Sequence, residues 1–301
     1  MDSGFKAKSE TDLGVSVDNF NVYWGLSINR MLIEPTWTKG KMMKELGQHI
    51  RIRTKNDCVI APTAEEKRKL ARVVLKIAKD HPLLSFGLAD THLHLQVASP
   101  RVSCGMLSRR LLNSLSQHLE LPSLFEPTYF LSIRDGKHNY NTFRYILNQQ
   151  QHHGVHTDPL HEASNLPDLL GLRILGTYTI GHVRRFLPRV SRKMLLDLMG
   201  TSDLQPTAGS PEFIVEAAKR ASALPDLCGS RPPVIETRRA IIHILEKRTT
   251  KRRIADLLGV SRRNVLLQVK KPPNLKLIAA IRKQMDLTAK KQKAIAHSVL
   301  L

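Results

Sequence analysis

Cysteine is scarce in this chain: Cys58, Cys104 and Cys228 are the only three in 301 residues. They are too few and too scattered for a disulfide framework or a cysteine zinc site. A reducing, cytoplasmic compartment fits that usage. Long apolar runs are missing as well. None reaches the roughly 18 residues that span a bilayer, so no membrane partner is expected. The first twelve residues are polar and mixed in charge, unlike a secretory signal. Aromatic residues make up 5%, with Trp24 and Trp37 the only tryptophans. Acidic residues are short too: 26 Asp and Glu face 47 Lys and Arg, a net charge of +21. A chain this basic meets a polyanion, and nucleic acid is the first expectation.

What is present can build a core. Hydrophobic residues make up 42%, enough for one large domain or two smaller ones and too many for a disordered chain. The positive charge is concentrated at one end. Residues 231–301 hold 18 Lys and Arg against 4 Asp and Glu, a net of +14. The rest of the chain is only mildly basic. No internal repeat or low-complexity tract is visible.

From residue 48 the pattern is legible. His49-Ile50-Arg51-Ile52-Arg53-Thr54 alternates polar and apolar residues, as a half-buried strand does. Thr63 with Glu66 forms a capping-box signature. Leu70, Val73, Val74 and Ile77 then share a helical face. Leu83–Leu88 reads as a second strand and His92–Val97, again alternating, as a third. Cys104–Leu119 has helical periodicity. Tyr129–Ile133 reads as a fourth strand and Tyr140–Gln151 as a helix stopping near Gly154. The order predicts an α+β domain, an antiparallel sheet with helices packed on one face. Residues 156–235 read as helical pieces broken by prolines, clearest at 191–199 and 211–221, with a linker at 230–233.

Two weak chemical signals lie in this region. His92 and His94 are two apart on a strand, so both rings project to one face while Leu93 and Leu95 face the other. Adjacent imidazoles can chelate a divalent ion, although a structural pair would look the same. Tyr145 and Gln149 are four apart on a helix and share a face. A phenol can form an ester with phosphate, and an amide oxygen can complete an ion's ligand set. Four further histidines, His152, His153, His156 and His161, read as a solvated helix end or, alternatively, a metal cluster.

Taken together, Ala89-Asp90-Thr91-His92-Leu93-His94-Leu95-Gln96-Val97 and Arg144-Tyr145-Ile146-Leu147-Asn148-Gln149 resemble the HUH endonucleases. Their single-tyrosine transposases are the nearest in wording, including the small single-strand insertion-sequence enzymes and the REP-associated tyrosine transposases. Arg51–Arg53, Leu124-Phe125 and Asp158-Pro159 fall at familiar places, and the likeness covers about residues 48–200. Ala89-Asp90-Thr91, Glu126-Pro127-Thr128 and Gln150-Gln151-His152 depart from the family's wording. The resemblance implies Mg²⁺ or Mn²⁺ on His92, His94 and Gln149, with Tyr145 as nucleophile. It implies cleavage and rejoining of single-stranded or hairpin DNA through a 5′-phosphotyrosine. The alternatives are a non-catalytic, domesticated DNA-binding regulator and a replication-initiator or relaxase-type nicking enzyme. Imidazole is an unusual Mg²⁺ ligand, so Mn²⁺ is expected to serve as well or better.

The basic end carries a separate pattern. Residues 236–247, 250–258 and 262–270 read as three helices. Ala255 allows close helix contact, Gly259 serves a turn and Ser261 caps the third helix. The spacing resembles a helix-turn-helix of many bacterial DNA-binding proteins. Arg252, Arg253, Arg262, Arg263, Asn264, Gln268, Lys270 and Lys271 are then the candidate contacts to duplex DNA. The expected organisation is an N-terminal arm (1–47), a HUH nuclease domain (48–155), a helical connector (156–235), a helix-turn-helix (236–271) and a basic helix or tail (272–301). A monomer or homodimer, cytoplasmic and associated with the nucleoid, is expected.

Overall fold

The computed structural model describes residues 45–120, 124–149, 161–198, 200–206 and 209–299, with side chains to residue 292. The expectations for residues 1–44, for His152, His153 and His156, and for the helix stop near Gly154 lie outside the described residues.

Four strands form one antiparallel sheet: β1 (Gly47–Arg53), β2 (Leu83–Ala89), β3 (His92–Val97) and β4 (Tyr129–Ile133), in the order β2-β3-β1-β4. The alternation read from the sequence decides which side chains meet. Ile50, Ile52, Leu93, Leu95, Val97, Phe86 and Leu88 point to one face and are buried. Helices α1 (Ala64–Ile77) and α2 (Arg101–His118) cover that face through Leu70, Val74, Leu107 and Leu111. Thr63 and Glu66 form the expected capping box at the start of α1. The architecture is therefore α+β, as expected.

The opposite sheet face also carries helices, a layer that periodicity did not place. Helix α3 (Gly136–Leu147) begins four residues before its expected start. Asp135 caps it, its carboxylate accepting from the His138 N–H at 2.8 Å. Phe143 and Leu147 on α3 pack with Leu84, with Val183 on α4 (Thr179–Phe186) and with Leu166 and Leu172. The outer edge of β2 is covered as well. Asn165 accepts from the Phe86 N–H at 2.9 Å and donates to the Leu84 carbonyl at 3.0 Å. Such cover removes an open edge that could template pairing with another chain.

The C-terminal half is helical. Helices α5 (Pro211–Ser222), α6 (Pro232–Leu245), α7 (Lys251–Leu258), α8 (Arg262–Val269) and α9 (Leu275–Val299) share a core of Ile214, Ala218, Ile241, Leu245, Ile254, Val265, Ile281 and Met285. Residues 232–233, read as linker, begin α6, because proline suits the first helical turn, where no amide partner is needed. Gly259 adopts φ 59°, the left-handed conformation that ends α7. Ser261 then caps α8, its hydroxyl accepting from the Asn264 N–H. The charge-based picture of a basic tail changes most at α9. Leu277, Ala280, Ile281, Met285 and Leu287 are buried, and Gln284 Nε2 donates to the Leu172 carbonyl at 3.1 Å. Much of this segment is core helix. Among the described residues, no helix is long and apolar enough to cross a membrane.

Candidate active site

The sheet face under α3 is polar at its centre. Strand β3 presents His92, His94 and Gln96 there, and β1 presents His49, Arg51 and Arg53. The register pairs Arg53 with His92, Arg51 with His94 and His49 with Gln96. Four residues expected to act together do come together. The His92 and His94 ring centroids lie 4.7 Å apart. The Tyr145 ring lies 5.6 Å from the His94 ring. Gln149 Nε2 donates to the Tyr145 hydroxyl at 3.4 Å. Helix α3 spans Gly136–Leu147, and Gln149 reaches Tyr145 from two residues beyond it; the expected end at Gln151 lies outside the described residues.

Two devices hold α3 against the sheet. Gly87 on β2 is paired with His94. A Cβ on Gly87 would stand 2.6 Å from the Ile146 carbonyl oxygen, so only glycine lets the helix backbone sit so close. Farther along, buried Gln96 donates from Nε2 to both the backbone and the side-chain oxygen of Asn139, at 2.7 Å each. Ser85 donates to Gln96 Oε1 at 3.0 Å and fixes the amide's orientation. Tyr145 is thus set by the next residue, Ile146, and by Asn139, about two turns before it on the same helix.

A third histidine belongs to the cluster. His49 Nε2 lies 2.8 Å from His94 Nδ1, and the two rings stack with centroids 5.0 Å apart. The Tyr145 ring is 6.0 Å from His49. Burial, with Arg51 adding repulsion, pushes the His49 pKa down to about 3. His49 is therefore neutral across the physiological range. A neutral imidazole on Nδ1 fixes the His94 ring, and a cation would be met by the ring's Nε2. The signal for His49 was in the sequence. The alternation put it on the polar face of β1, but only the β1–β3 register shows that it meets His94.

Electrostatics at Tyr145 pull two ways. Burial raises the phenol pKa, while the hydrogen bond from Gln149 and the positive charge of Arg51 lower it, and burial wins. The side chain is held as a phenol, with a fixed cation close enough to favour its anion.

Among the described residues, no group of three or more His, Cys, Asp and Glu side chains could hold a metal ion. The side chains placed around Tyr145 have another composition: two imidazoles, His92 and His94, and the Gln149 carboxamide. Neutral nitrogen and oxygen donors of this kind fit Mn²⁺, and Mg²⁺ less well.

The basic candidates divide into two groups. Arg252, Arg262, Arg263, Asn264, Lys270 and Lys271 are exposed, with Leu266 and Leu267 also exposed on α8. Arg253 and Gln268 are engaged within the chain. Arg253 pairs with Glu212 at 2.9 Å, and Gln268 Oε1 accepts from Arg239 Nε at 3.0 Å. Both partners lie far away in sequence, so spacing could not reveal them.

No protein-family model matches the chain, and no curated protein matches it. A solved structure of a REP-associated tyrosine transposase bound to a REP hairpin is similar to 39% of this chain and 74% of its own, at 14% identity and a TM-score of 0.32.

Proposed function

We propose that this protein cleaves and rejoins single-stranded or hairpin DNA through Tyr145, with a divalent cation bound by His92, His94 and Gln149. One observation carries the reading. A paired histidine strand and a tyrosine with a glutamine four residues on come together on one sheet face, although about fifty residues separate them in sequence. A purely structural histidine pair has no need of a tyrosine beside it.

The chemistry follows from the groups present. The Tyr145 oxygen forms a bond to phosphorus, and the bond from phosphorus to the 3′ oxygen breaks. That oxygen leaves as a 3′-OH, and the 5′ phosphate stays on the tyrosine. Attack by a 3′-OH reverses the step and rejoins the strand without ATP, because the ester conserves the phosphodiester bond. A bound Mg²⁺ or Mn²⁺ would supply Lewis-acid polarisation of the phosphate. His49 holds the His94 ring in place, Gln149 orients the phenol by its hydrogen bond, and Arg51 supplies fixed positive charge beside the developing tyrosinate. The test is to trap the intermediate. The full chain, incubated with a single-stranded hairpin and Mn²⁺, is expected to give a DNA adduct that survives denaturation. Absence of adduct across hairpins drawn from the gene's flanks would defeat the reading.

The C-terminal helices supply a second surface, for duplex DNA. It is supported by the exposed row Arg262, Arg263 and Asn264 on α8, behind the Gly259 turn and the Ser261 cap. Deleting residues 231–301 is a poor test, because it strips Ile214, Ala218 and Ala221 on α5 of their core partners. Arg262→Ala and Arg263→Ala are the better variants. Each is expected to lower the log–log salt slope of duplex binding by about 0.9, the value for one lost phosphate contact. Unchanged slopes in both would remove α8 from the interface.

A further inference from the structure

We infer that Arg51 and Tyr129 form a nucleotide subsite beside the histidine cluster, with Tyr129 stacking a base of the single strand and Arg51 gripping its phosphate. The inference rests on the proposed single-strand DNA site and names residues that the resemblance did not supply.

The register places them. Arg51 on β1 pairs with His94 on one side and with Tyr129 on the other. Side chains directly opposite one another share a sheet face. Across the sheet, the row His94, Arg51, Tyr129 therefore runs from the cluster to the edge strand β4. Neighbouring strands are about 4.8 Å apart, so Tyr129 stands about 10 Å from β3. A strand held at the histidines and running toward the edge passes over Arg51 and then Tyr129.

Exposure and chemistry suit the role. Tyr129 is 51% exposed, unusual for a large aromatic on a strand whose neighbours are half-buried. The Arg51 guanidinium carbon lies 5.2 Å from the centre of the Tyr129 ring. That contact orients both groups, and an arginine can keep it while its N–H groups meet a phosphate. Arg53, one step along β1 on the same face, is paired with Asp57, which leaves Arg51 as the better phosphate partner on this strand. Arg51 also lies close enough to act electrostatically on both His49 and Tyr145. Single-strand binding combines positive charge along the backbone with aromatic platforms for the bases, and Arg51 and Tyr129 supply one of each.

The test reads stacking directly. The full chain carrying Tyr145→Phe, which cannot form the adduct, is titrated without metal into oligonucleotides bearing one 2-aminopurine at successive positions. One position is expected to show a strong fluorescence change on binding. Tyr129→Ala should abolish that change and weaken binding about ten-fold, within the range for one stacked base. Tyr129→Phe should keep it, since the ring remains. Arg51→Gln should lower the salt slope by about 0.7, one phosphate contact on a single strand. If Tyr129→Ala behaves like its parent at every position, the subsite is wrong. If stacking at Tyr129 holds while the wild-type chain forms no adduct, the subsite stands and the cleavage reading falls.

Discussion

His92→Ala with His94→Ala is expected to cut adduct formation by about a thousand-fold in Mn²⁺, while single-strand binding changes little. The size of the loss comes from the donor set. With both imidazoles gone, Gln149 is the only named donor, and one neutral amide does not hold a divalent ion. Lewis-acid help with a phosphoryl transition state is worth several kcal/mol, and each 1.36 kcal/mol is ten-fold in rate. His92 is half-exposed and His94 buried, so the double variant also leaves a small void beside His49. Thermal melting must accompany the assay, and a modest drop in Tm is expected. The decisive companion is Mn²⁺ titration followed by electron paramagnetic resonance. The wild type should bind the ion and the double variant should not. Adduct formation at the wild-type rate in the double variant would end the metal assignment.

Gly87→Ala is expected to cut adduct formation about a hundred-fold from outside the cluster. The new methyl would meet the Ile146 carbonyl at 2.6 Å. That atom is backbone, so relief requires α3 to move or the sheet to bend. Overpacking of this kind costs about 1–3 kcal/mol, which lowers Tm by several degrees in a chain of this size. Tyr145 is adjacent to Ile146 and moves with it. A displacement of about 1 Å at a reacting group costs about a hundred-fold in rate. The expected outcome is a folded protein with weakened adduct formation and unchanged duplex binding, because α8 is remote in the fold from β2. Gly105→Ala is the matched control, since a Cβ there meets nothing within 4 Å. Equal adduct yields from the two variants would remove Gly87 from the account.

The parts legible in the sequence were those set by local periodicity. Alternation located β1 and β3 and the face on which His92 and His94 sit. Spacing of four paired Tyr145 with Gln149, and the turn and cap around Gly259 and Ser261 marked α7 and α8. What escaped depends on pairing across the chain. His49 and Arg51 stood in a recognised strand, but their partners, His94 and Tyr129, are known only through the register. The start of α3 was missed because Asp135 caps a first turn, Gly136-Lys137-His138, that shows no apolar periodicity. Helix α4 escapes a periodicity reading because Thr179–Phe186 spans little more than two turns, with Ile180, Val183 and Phe186 as its apolar residues. The charge of the last seventy residues points to a DNA-binding end with a basic helix or tail, yet α9 turns Ile281 and Met285 inward and spends much of its length as core. Charge counts report the solvated side of a helix and say nothing of the side that packs.

The central claim, that Tyr145 becomes covalently joined to DNA, is tested most directly by mass spectrometry of the trapped adduct after proteolysis. The expected result is a nucleotide-linked peptide with the modification on Tyr145, and no adduct from Tyr145→Phe even though that variant still binds the hairpin. A modified peptide centred on another residue, such as Tyr140 on the same helix, or undiminished adduct from Tyr145→Phe, would contradict it.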